Sequence, residues 1–507
     1  MPESVRRRRR WLRRLVTAAA LVGLLGGVAF GAMRDEGDAF DPTVEFSADE
    51  PPSTAPQAPT EPVSSDRHPA DDDFEWPIYG YTKARTHALP LTRPLRPPFD
   101  EAWSVTGRTL LEFAPVLCGR SIFLLKNNGA LYAISRATGT VRWKRKLGHL
   151  AASSPACSHG TVYAVLLERK EGVDAGRVVA VDAGDGRTRW SHKLPSRSES
   201  SPLLDDGSLF FGTEDGTVYS LNAGDGSVRW RYKAAGEVKG ALALTDGRLF
   251  FGDYGGRVHA IDRDIGRRVW SVAPEGAANF YSSPAVAYGR VYLGGTDGAV
   301  YSLSARTGRL AWRKQTGDFV YASPAVTTPE GGRPTVFIGS YNGTFYALDA
   351  RNGETRWSRD VGGKISGAAT VIGDLVFFSE LKKTASWALG VNTGTTVWKT
   401  DRGAFNPAIS DGRRIYFLGY SSIFALDADG VSFDAAGAQR RVERVKQRER
   451  SAQRARQRRS EKYRTALHGH RHSNGRRGEH CHDHRHTYDV RGKTISFTHE
   501  HCHAHTR

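Results

Sequence analysis

The sequence predicts an all-β protein built around an eight-bladed β-propeller, and three observations support this prediction. Tryptophan recurs along most of the 507-residue chain at intervals of 40 to 47 residues. A glycine lies four residues before seven of these tryptophans, and each interval also contains two hairpin-like phrases. Four short antiparallel strands per interval form one propeller blade. The repeated tryptophans are Trp103, Trp143, Trp190, Trp230, Trp270, Trp312, Trp357 and Trp398.

Residues 1–33 are predicted to be a cytoplasmic, arginine-rich stub followed by a single transmembrane anchor. Seven arginines stand against one glutamate in residues 1–14, and an uncharged run extends from Leu15 to Met33. A helix over that run is about 28 Å long, close to the hydrocarbon thickness of a bilayer of about 30 Å. The arginines favour a cytoplasmic amino terminus, so the propeller and the tail are expected to be extracytoplasmic. Small residues near Ala29 leave a cleaved signal peptide as the alternative.

The next segment, residues 34–75, is predicted to be a disordered linker. It contains 13 acidic residues against two arginines and is rich in proline, serine and threonine. Such a composition has too few apolar groups to build a core. We therefore expect an extended spacer that holds the propeller away from the membrane.

The repeated glycines are expected to close a hairpin within each blade. Phrases such as VVAVDAGDGRTRW and FYALDARNGETRW join an apolar strand, a turn and a strand that ends in tryptophan. An Asp or Asn can bond the backbone two residues on, and glycine supplies the left-handed residue of a bulged turn. The glycines concerned are Gly139, Gly186, Gly226, Gly266, Gly308, Gly353 and Gly394.

The blade count follows from how the repeats begin and end. Seven full periods run from about Leu110 to Asp401, and an eighth starts at Asn406 and stops before its tryptophan strand. The segment Phe99 to Trp103 has nothing before it in its own period. We predict that it pairs with the strand around Ile423 to Leu426 and closes the ring, which removes the sheet edges. A seven-bladed ring is the alternative.

These phrases resemble the repeats of the bacterial pyrroloquinoline-quinone (PQQ) type β-propellers, and the likeness covers residues 76–430. The segment WPIYGYTKARTHALP, which begins at Trp76, is similar to the lead-in found before such propellers. The resemblance implies one of two functions. Quinoprotein dehydrogenases hold PQQ and Ca²⁺ at the propeller axis, whereas members similar to the outer-membrane assembly lipoprotein bind no cofactor and act as docking platforms.

The sequence favours the docking platform over the enzyme. It lacks the vicinal Cys-Cys pair that alcohol-oxidising members share, and periods of 40 to 47 residues leave no room for long pocket-building insertions. A C-x-x-C-H haem motif is also missing. We therefore expect no cofactor in the propeller, a protein or peptide partner in the cell envelope, and no binding of nucleic acid. A PQQ- and Ca²⁺-dependent oxidoreductase is the alternative.

Two cysteines in consecutive repeats, Cys118 and Cys157, occupy corresponding positions. In an exported protein they are candidates for a disulfide across neighbouring blades. The spacing of their Cα atoms decides whether the bridge forms, and sequence does not supply it.

Beyond the propeller, residues 431–466 are predicted to be a basic arm that is helical or disordered. Its part from 438 to 466 has almost no apolar stripe and is a candidate tether to anionic lipid or surface polymer. A solvated arm without a partner is the alternative.

The carboxyl-terminal residues 467–507 are predicted to form a histidine-rich, metal-binding hairpin. If Arg491 and Gly492 form the turn, opposed residues sum to 983, and six histidines fall on one side. Cys481 then lies opposite Cys502, so these two are further disulfide candidates. Neutral histidine suits Zn²⁺, Cu²⁺ or Ni²⁺, and a metal-handling protein is the third candidate function. A disordered tail that chelates metal only incidentally is the alternative to a specific site. The histidines are His480, His482, His484, His499, His501 and His503.

Overall fold

The computed structural model describes residues 38–47, 74–170, 173–405, 408–428, 480–490 and 493–503. The chain divides into two compact units, Met1–Ala435 and Ala436–Arg507. Every regular element in the described ranges is a β-strand, and no helix there is long and apolar enough to span a bilayer. The predicted anchor at 15–33 and the predicted basic arm at 431–466 lie outside these ranges.

The first unit is a ring of eight antiparallel sheets, numbered here as blades 1 to 8. In most pairs of neighbouring blades, the first strand of one blade contacts the first strand of the next. These short first strands are therefore the innermost strands of the ring. The strands are given from the innermost outward. Blade 1 has Val116–Cys118, Ser121–Lys126, Ala130–Ser135 and Val141–Lys146, and blade 2 has Ala156–Ser158, Thr161–Lys170, Val173–Asp182 and Thr188–Leu194. Blade 3 has Leu203–Asp205, Ser208–Gly212, Thr217–Asn222 and Val228–Lys233, and blade 4 has Ala243–Thr245, Arg248–Gly252, Val258–Asp262 and Arg268–Val272.

Blades 5 to 8 have the same construction, and two of them gain a fifth strand. Blade 5 has Ala285–Ala287, Arg290–Gly294, Ala299–Ser304 and Leu310–Gln315, and blade 6 has Ala325–Thr327, Thr335–Gly339, Thr344–Asp349 and Thr355–Asp360. Blade 7 has Thr370–Ile372, Leu375–Glu380, Ala385–Gly390 and Thr396–Thr400, and blade 8 has Ile409–Ser410, Arg414–Leu418, Ile423–Ala428 and Phe99–Val105. The fifth strands are Ala39–Phe40 on the outer edge of blade 5 and Ala88–Leu89 on the inner edge of blade 7.

The ring closes as the sequence predicts. Strand Phe99–Val105 pairs antiparallel with Ile423–Ala428, and Trp103 lies opposite Ala425. The eighth blade therefore takes its outer strand from the start of the propeller and its other three strands from the end. The prediction of an eight-bladed propeller is confirmed, and the seven-bladed alternative is wrong.

Burial explains why the strands of one blade differ in composition. The second strand of blade 3, Ser208–Gly212, is buried at every position because neighbouring blades cover both of its faces. The fourth strand, Val228–Lys233, alternates between half-buried and exposed residues and carries arginine and lysine. Charged residues on an outer strand discourage pairing with the edge of another chain.

The repeated tryptophans and glycines meet at the blade interfaces. Trp312 of blade 5 is fully buried, and its Nε1 donates to the backbone oxygen of Ala350 in blade 6 at 3.0 Å. Gly353 has a φ of +78°, and a Cβ atom placed there would lie 2.8 Å from the Trp312 ring. The glycine thus allows the turn and also makes room for the indole. Corresponding pairs are Trp103 with Gly139, Trp143 with Gly186, Trp190 with Gly226, Trp230 with Gly266, Trp270 with Gly308, and Trp357 with Gly394.

Blades 1 and 2 are joined covalently at their innermost strands. Cys118 and Cys157 form a disulfide, with their Cα atoms 6.4 Å apart. That distance lies within the range that disulfides span.

The linker prediction is wrong for residues 38–47, which form an ordered strap on blade 5. Ala39 and Phe40 pair with the outer strand of that blade, opposite Arg313 and Trp312. Val44 is buried in the core between blades 5 and 6. The sequence signal, a few apolar residues among acidic ones, is too weak to predict a strand without its partner.

Charge complementarity also fixes the strap. The Asp41 carboxylate lies 2.7 Å from Arg309, and the buried Arg290 donates to the backbone oxygens of Val44 and Glu45. The acidic composition that predicts disorder is therefore matched by basic residues of blade 5. Residues 34–37 and 48–73 of the predicted linker lie outside the described ranges. At its end the prediction is also wrong, because Phe74 is buried in the core with Trp76.

The described part of the second unit is one antiparallel hairpin. Strands His480–Val490 and Lys493–His503 pair along their whole length, from His480 opposite His503 to Val490 opposite Lys493. This is the register in which opposed residues sum to 983. Metal binding and a bridge between Cys481 and Cys502 remain predictions.

Candidate functional site

The propeller axis is crossed by the lead-in segment, residues 74–90. The innermost strand of a blade has no further strand of its own blade on its axial side, so its backbone groups need partners from elsewhere. In six blades, the middle residue of this strand donates its N–H to a lead-in carbonyl. The donors are Leu117, Cys157, Leu244, Val286, Val326 and Val371, and the acceptors are Trp76, Pro77, Lys83, Ala84, Thr86 and His87.

A buried arginine anchors this segment at the axis. The Arg85 guanidinium donates to the carbonyl oxygens of Leu242 at 2.8 Å and Ser201 at 3.1 Å, and also to that of Tyr79. Burial lowers the pKa of Arg85 to about 9. Burial and the Arg85 charge lower the pKa of His87 to about 3, so His87 is neutral at neutral pH. The lead-in is therefore part of the propeller core.

One position of the repeat surrounds the axis on one face of the propeller. Each innermost strand is preceded by a proline or by another residue that takes the place of the proline. The position described here lies three residues before that residue. Six of its occupants line a cavity of about 60 Å³ whose lining also includes Tyr79 of the lead-in. Pockets for small molecules are larger, about 300–1,000 Å³. We call this cavity and its rim the axial funnel; the six residues are Glu112, Glu199, Lys239, Tyr281, Tyr321 and Ser366.

Four half-buried tyrosines form an arc along one side of the axial funnel. The ring centroids of Tyr254 and Tyr281 are 6.2 Å apart, those of Tyr281 and Tyr321 are 5.7 Å apart, and those of Tyr321 and Tyr341 are 4.9 Å apart. Each contact is edge-to-face, the arrangement that the ring quadrupole favours. The Lys239 ammonium lies 4.8 Å from the Tyr254 ring. These four tyrosines, the aromatic arc, offer rigid apolar surface with hydroxyl groups beside it.

Carboxylates lie beside the aromatic arc. The Tyr281 hydroxyl donates to Glu199 at 3.2 Å, and Arg197 lies 3.6 Å from Glu214. Burial, and then the negative charge of Glu199, raise the pKa of Glu214 to about 7. Burial likewise raises the pKa of Glu112. Burial therefore favours the protonated form of both carboxyl groups.

Substitution of Glu214 by glutamine is expected to stabilise the protein at pH 8. The pKa of Glu214 is about 7 in the folded chain against an ordinary value of 4.5. Between these values the folded chain retains a proton that the unfolded chain has lost, so rising pH reduces stability. Glutamine removes this cost, and we expect a gain of about 1–3 kcal/mol at pH 8. Urea unfolding at pH 5 and pH 8 measures it; an equal effect at both pH values would contradict the pKa shift.

Serine side chains connect the loops around the axial funnel. The Oγ atoms of Ser201, Ser283 and Ser323 accept backbone N–H groups from the preceding blade, those of Ser154, Ala241 and Ser283, at 2.8 to 3.1 Å. These serines come from the repeated phrase S-S-P or A-S-P before the innermost strand. The phrase fixes the backbone while the residue just before it varies.

The axial funnel was not predicted from the sequence, although the sequence contains a signal for it. Aligning the S-S-P phrases brings Glu199, Tyr281 and Tyr321 to one position of the repeat. The signal is that this one position differs chemically from blade to blade, while the rest of the repeat is regular. The propeller residues singled out from the sequence, the tryptophan and glycine pairs, pack the blades together.

The structure describes the side-chain contacts of the propeller histidines but not those of the tail histidines. His259 is buried in blade 4, with its Nε2 atom 3.0 Å from Asp253 and its Nδ1 atom 3.1 Å from the Tyr232 hydroxyl. No group of three His, Cys, Asp or Glu side chains suited to a metal occurs among the residues that the structure describes. The side chains of the tail hairpin are not among them.

A model of one protein family matches more than half of the chain. It is described as outer membrane protein assembly factor BamB and matches residues 100–193 and 174–400. No curated protein sequence matches the chain.

Solved structures with similar folds include a BamB protein, dehydrogenases and a designed protein. BamB from Moraxella catarrhalis is 18% identical, with a TM-score of 0.53, covering 66% of this chain and 99% of that one. A europium-containing methanol dehydrogenase is 12% identical, with a TM-score of 0.59, covering 70% and 98%. The computationally designed Ika8 protein is 16% identical, with a TM-score of 0.55, covering 64% and 99%. At these identities the likeness shows the fold alone.

Proposed function

The chain belongs to the family described as outer membrane protein assembly factor BamB, and on that basis we propose that it is a non-catalytic docking platform for another protein. The axial funnel is the docking site. In this proposal the propeller is exported and tethered by residues 15–33 and works in the cell envelope. Residues 438–466 of the basic arm add contact with anionic lipid or surface polymer.

The observation that carries this proposal is the construction of the axial funnel. Tryptophan, glycine and serine positions of the repeat build the frame, while the rim position holds acidic, basic, aromatic and small residues in different blades. A structural position would call for similar residues in every blade. Half-buried tyrosines are also the residue type enriched where proteins bind one another.

The space at the axis supports docking over quinone chemistry. The lead-in occupies the axis, and the cavity of about 60 Å³ above it has a fraction of the volume that small-molecule pockets have. A tricyclic quinone with its Ca²⁺ ion would need the lead-in or the rim to move. A partner's side chain inserted into the mouth of the funnel needs no such movement.

The chemistry of the rim indicates the kind of segment that binds. Glu112 and Glu199 present carboxyl groups, Glu214 lies beside Glu199, and the aromatic arc presents ring faces next to them. A lysine or arginine side chain would be attracted by both groups. We propose that an extended or loop segment of the partner inserts a basic side chain beside Glu199.

Site-directed photocrosslinking tests the docking site. A photoreactive amino acid at Ser366, on the rim, should form an adduct with an envelope protein in the producing cells. The same probe at Ile265 should not, because that residue is 61% exposed in a turn at the opposite end of blade 4. Tyr321→Ala, which removes a neighbouring rim residue, should abolish the Ser366 adduct.

Three results would contradict docking at the axial funnel. Equal crosslinking from Ser366 and Ile265 would mean non-specific contact. An adduct that survives both Tyr321→Ala and Glu199→Gln would place the partner elsewhere. Stoichiometric quinone with Ca²⁺ in the purified chain, together with alcohol oxidation, would favour the oxidoreductase instead.

A further inference from the structure

We propose that the tail hairpin binds one divalent metal ion of the zinc class through histidines that face one another across its two strands. The inference does not depend on the docking function of the propeller. Strands His480–Val490 and Lys493–His503 pair antiparallel without a register shift. An uninterrupted register over 11 residue pairs fixes which residues share a face.

All six histidines of these facing pairs fall on the same face of the hairpin. His480 lies opposite His503, His482 opposite His501, and His484 opposite His499. Residues two apart along a strand share a face. Opposed Cα atoms in an antiparallel pair are about 4.5–5.5 Å apart, and the next pair on the same face lies about 6.8 Å along the strands. Three rows of paired histidines therefore run along one face.

Two adjacent rows supply the four nitrogen ligands that zinc prefers. Zinc binds imidazole nitrogen at about 2.0–2.1 Å and favours tetrahedral coordination by four ligands. The central row, His482 and His501, can act with the row on either side of it. Both arrangements use this central row, so the hairpin binds one ion at a time.

The other face provides a means of holding the strands together. Cys481 lies opposite Cys502, and Asp483 lies opposite Glu500. The Cα spacing of an opposed pair suits a disulfide. The cysteines alternate with the histidines along each strand, so they belong to the face without the proposed metal. A lone two-stranded hairpin is marginally stable in water, and metal binding would therefore also stabilise it.

Competitive Zn²⁺ titration of the detergent-solubilised full-length chain tests the site. The wild type should bind one Zn²⁺ tightly. The double substitution His482→Asn with His501→Asn should weaken binding more than about tenfold, because each four-ligand set loses two ligands. The substitution His480→Asn with His503→Asn should have an effect below about threefold, because one complete set remains. Equal effects of the two double substitutions would overturn the proposal.

A variant of identical composition distinguishes a built site from incidental chelation by a histidine-rich tail. It combines Thr498→His, His499→Thr, Glu500→His, His501→Glu, His503→Ala and Ala504→His. Two histidines move to the opposite face, at 498 and 500, and the third moves to position 504, beyond the end of the strand, while Cys502 stays opposite Cys481. We expect a loss of Zn²⁺ affinity of about tenfold or more. Unchanged affinity would show that register is irrelevant and would overturn the proposal.

The propeller histidines provide a matched control. His149, His159 and His192 lie in the first unit and are accessible to solvent. Changing all three to asparagine should leave the tight Zn²⁺ site unaltered. Loss of that site in this variant would assign the metal to the propeller and overturn the proposal.

Discussion

The substitution Trp312→Ala is expected to lower the free energy of unfolding by about 3–5 kcal/mol. Trp312 is fully buried between blades 5 and 6, and its Nε1 atom donates to Ala350 at 3.0 Å. Its removal creates a cavity against Gly353 and leaves the carbonyl of Ala350 without this donor. Urea unfolding followed by tryptophan fluorescence and circular dichroism measures the loss.

Two further variants connect this effect to blade docking. Ile265→Ala changes a solvent-exposed side chain and should cost less than about 0.5 kcal/mol. Gly353→Ala places a Cβ atom 2.8 Å from the indole at a φ of +78° and should itself be destabilising. The clash disappears when Trp312 is already alanine, so the two losses should sum to more than the loss in the double variant. Additive losses would mean that the ring and the glycine do not depend on each other.

Replacement of both Cys118 and Cys157 by alanine is expected to lower the free energy of unfolding by about 4 kcal/mol in the chain-entropy description. The disulfide joins positions separated by 39 residues and connects the innermost strands of blades 1 and 2. Without it, the unfolded chain gains conformational freedom that the folded ring does not. Urea unfolding of the oxidised protein and of the variant measures the difference.

A reduced control shows that the bridge, and not the side chains, causes this loss. Wild-type protein kept in reducing agent should move toward the stability of the double alanine variant. The variant itself should not respond to reducing agent through these two positions. A wild type with the same stability in both conditions would show that the bridge contributes nothing.

The blade architecture could be predicted because its signals are local and repeated. Phrases such as FYALDARNGETRW contain the alternating strand, the turn glycine and the tryptophan within a few residues of one another. Ring closure was also predictable, since Phe99–Val105 had no partner in its own repeat and the last repeat lacked one strand. Because the short pattern recurs in several repeats, a deviation in one copy does not change the predicted fold.

The strap and the lead-in could not be predicted in the same way. Val44 becomes buried only because a groove between blades 5 and 6 is present to receive it. Arg85 is buried only because carbonyls from several blades converge on the axis. These blade partners lie more than 100 residues away in the chain, and neither segment has a repeat that would reveal its role.

The sequence by itself determined the all-β class, the number of blades, the strand that closes the ring and the opposed residues of the tail hairpin. Each depends on periodicity or on pairing between segments that a short pattern can identify. Only the tertiary structure decided which repeat position lines the axial funnel, that residues 38–47 extend blade 5, and that Cys118 reaches Cys157. These features depend on distances between blades, and such distances arise only when all eight blades pack around one axis.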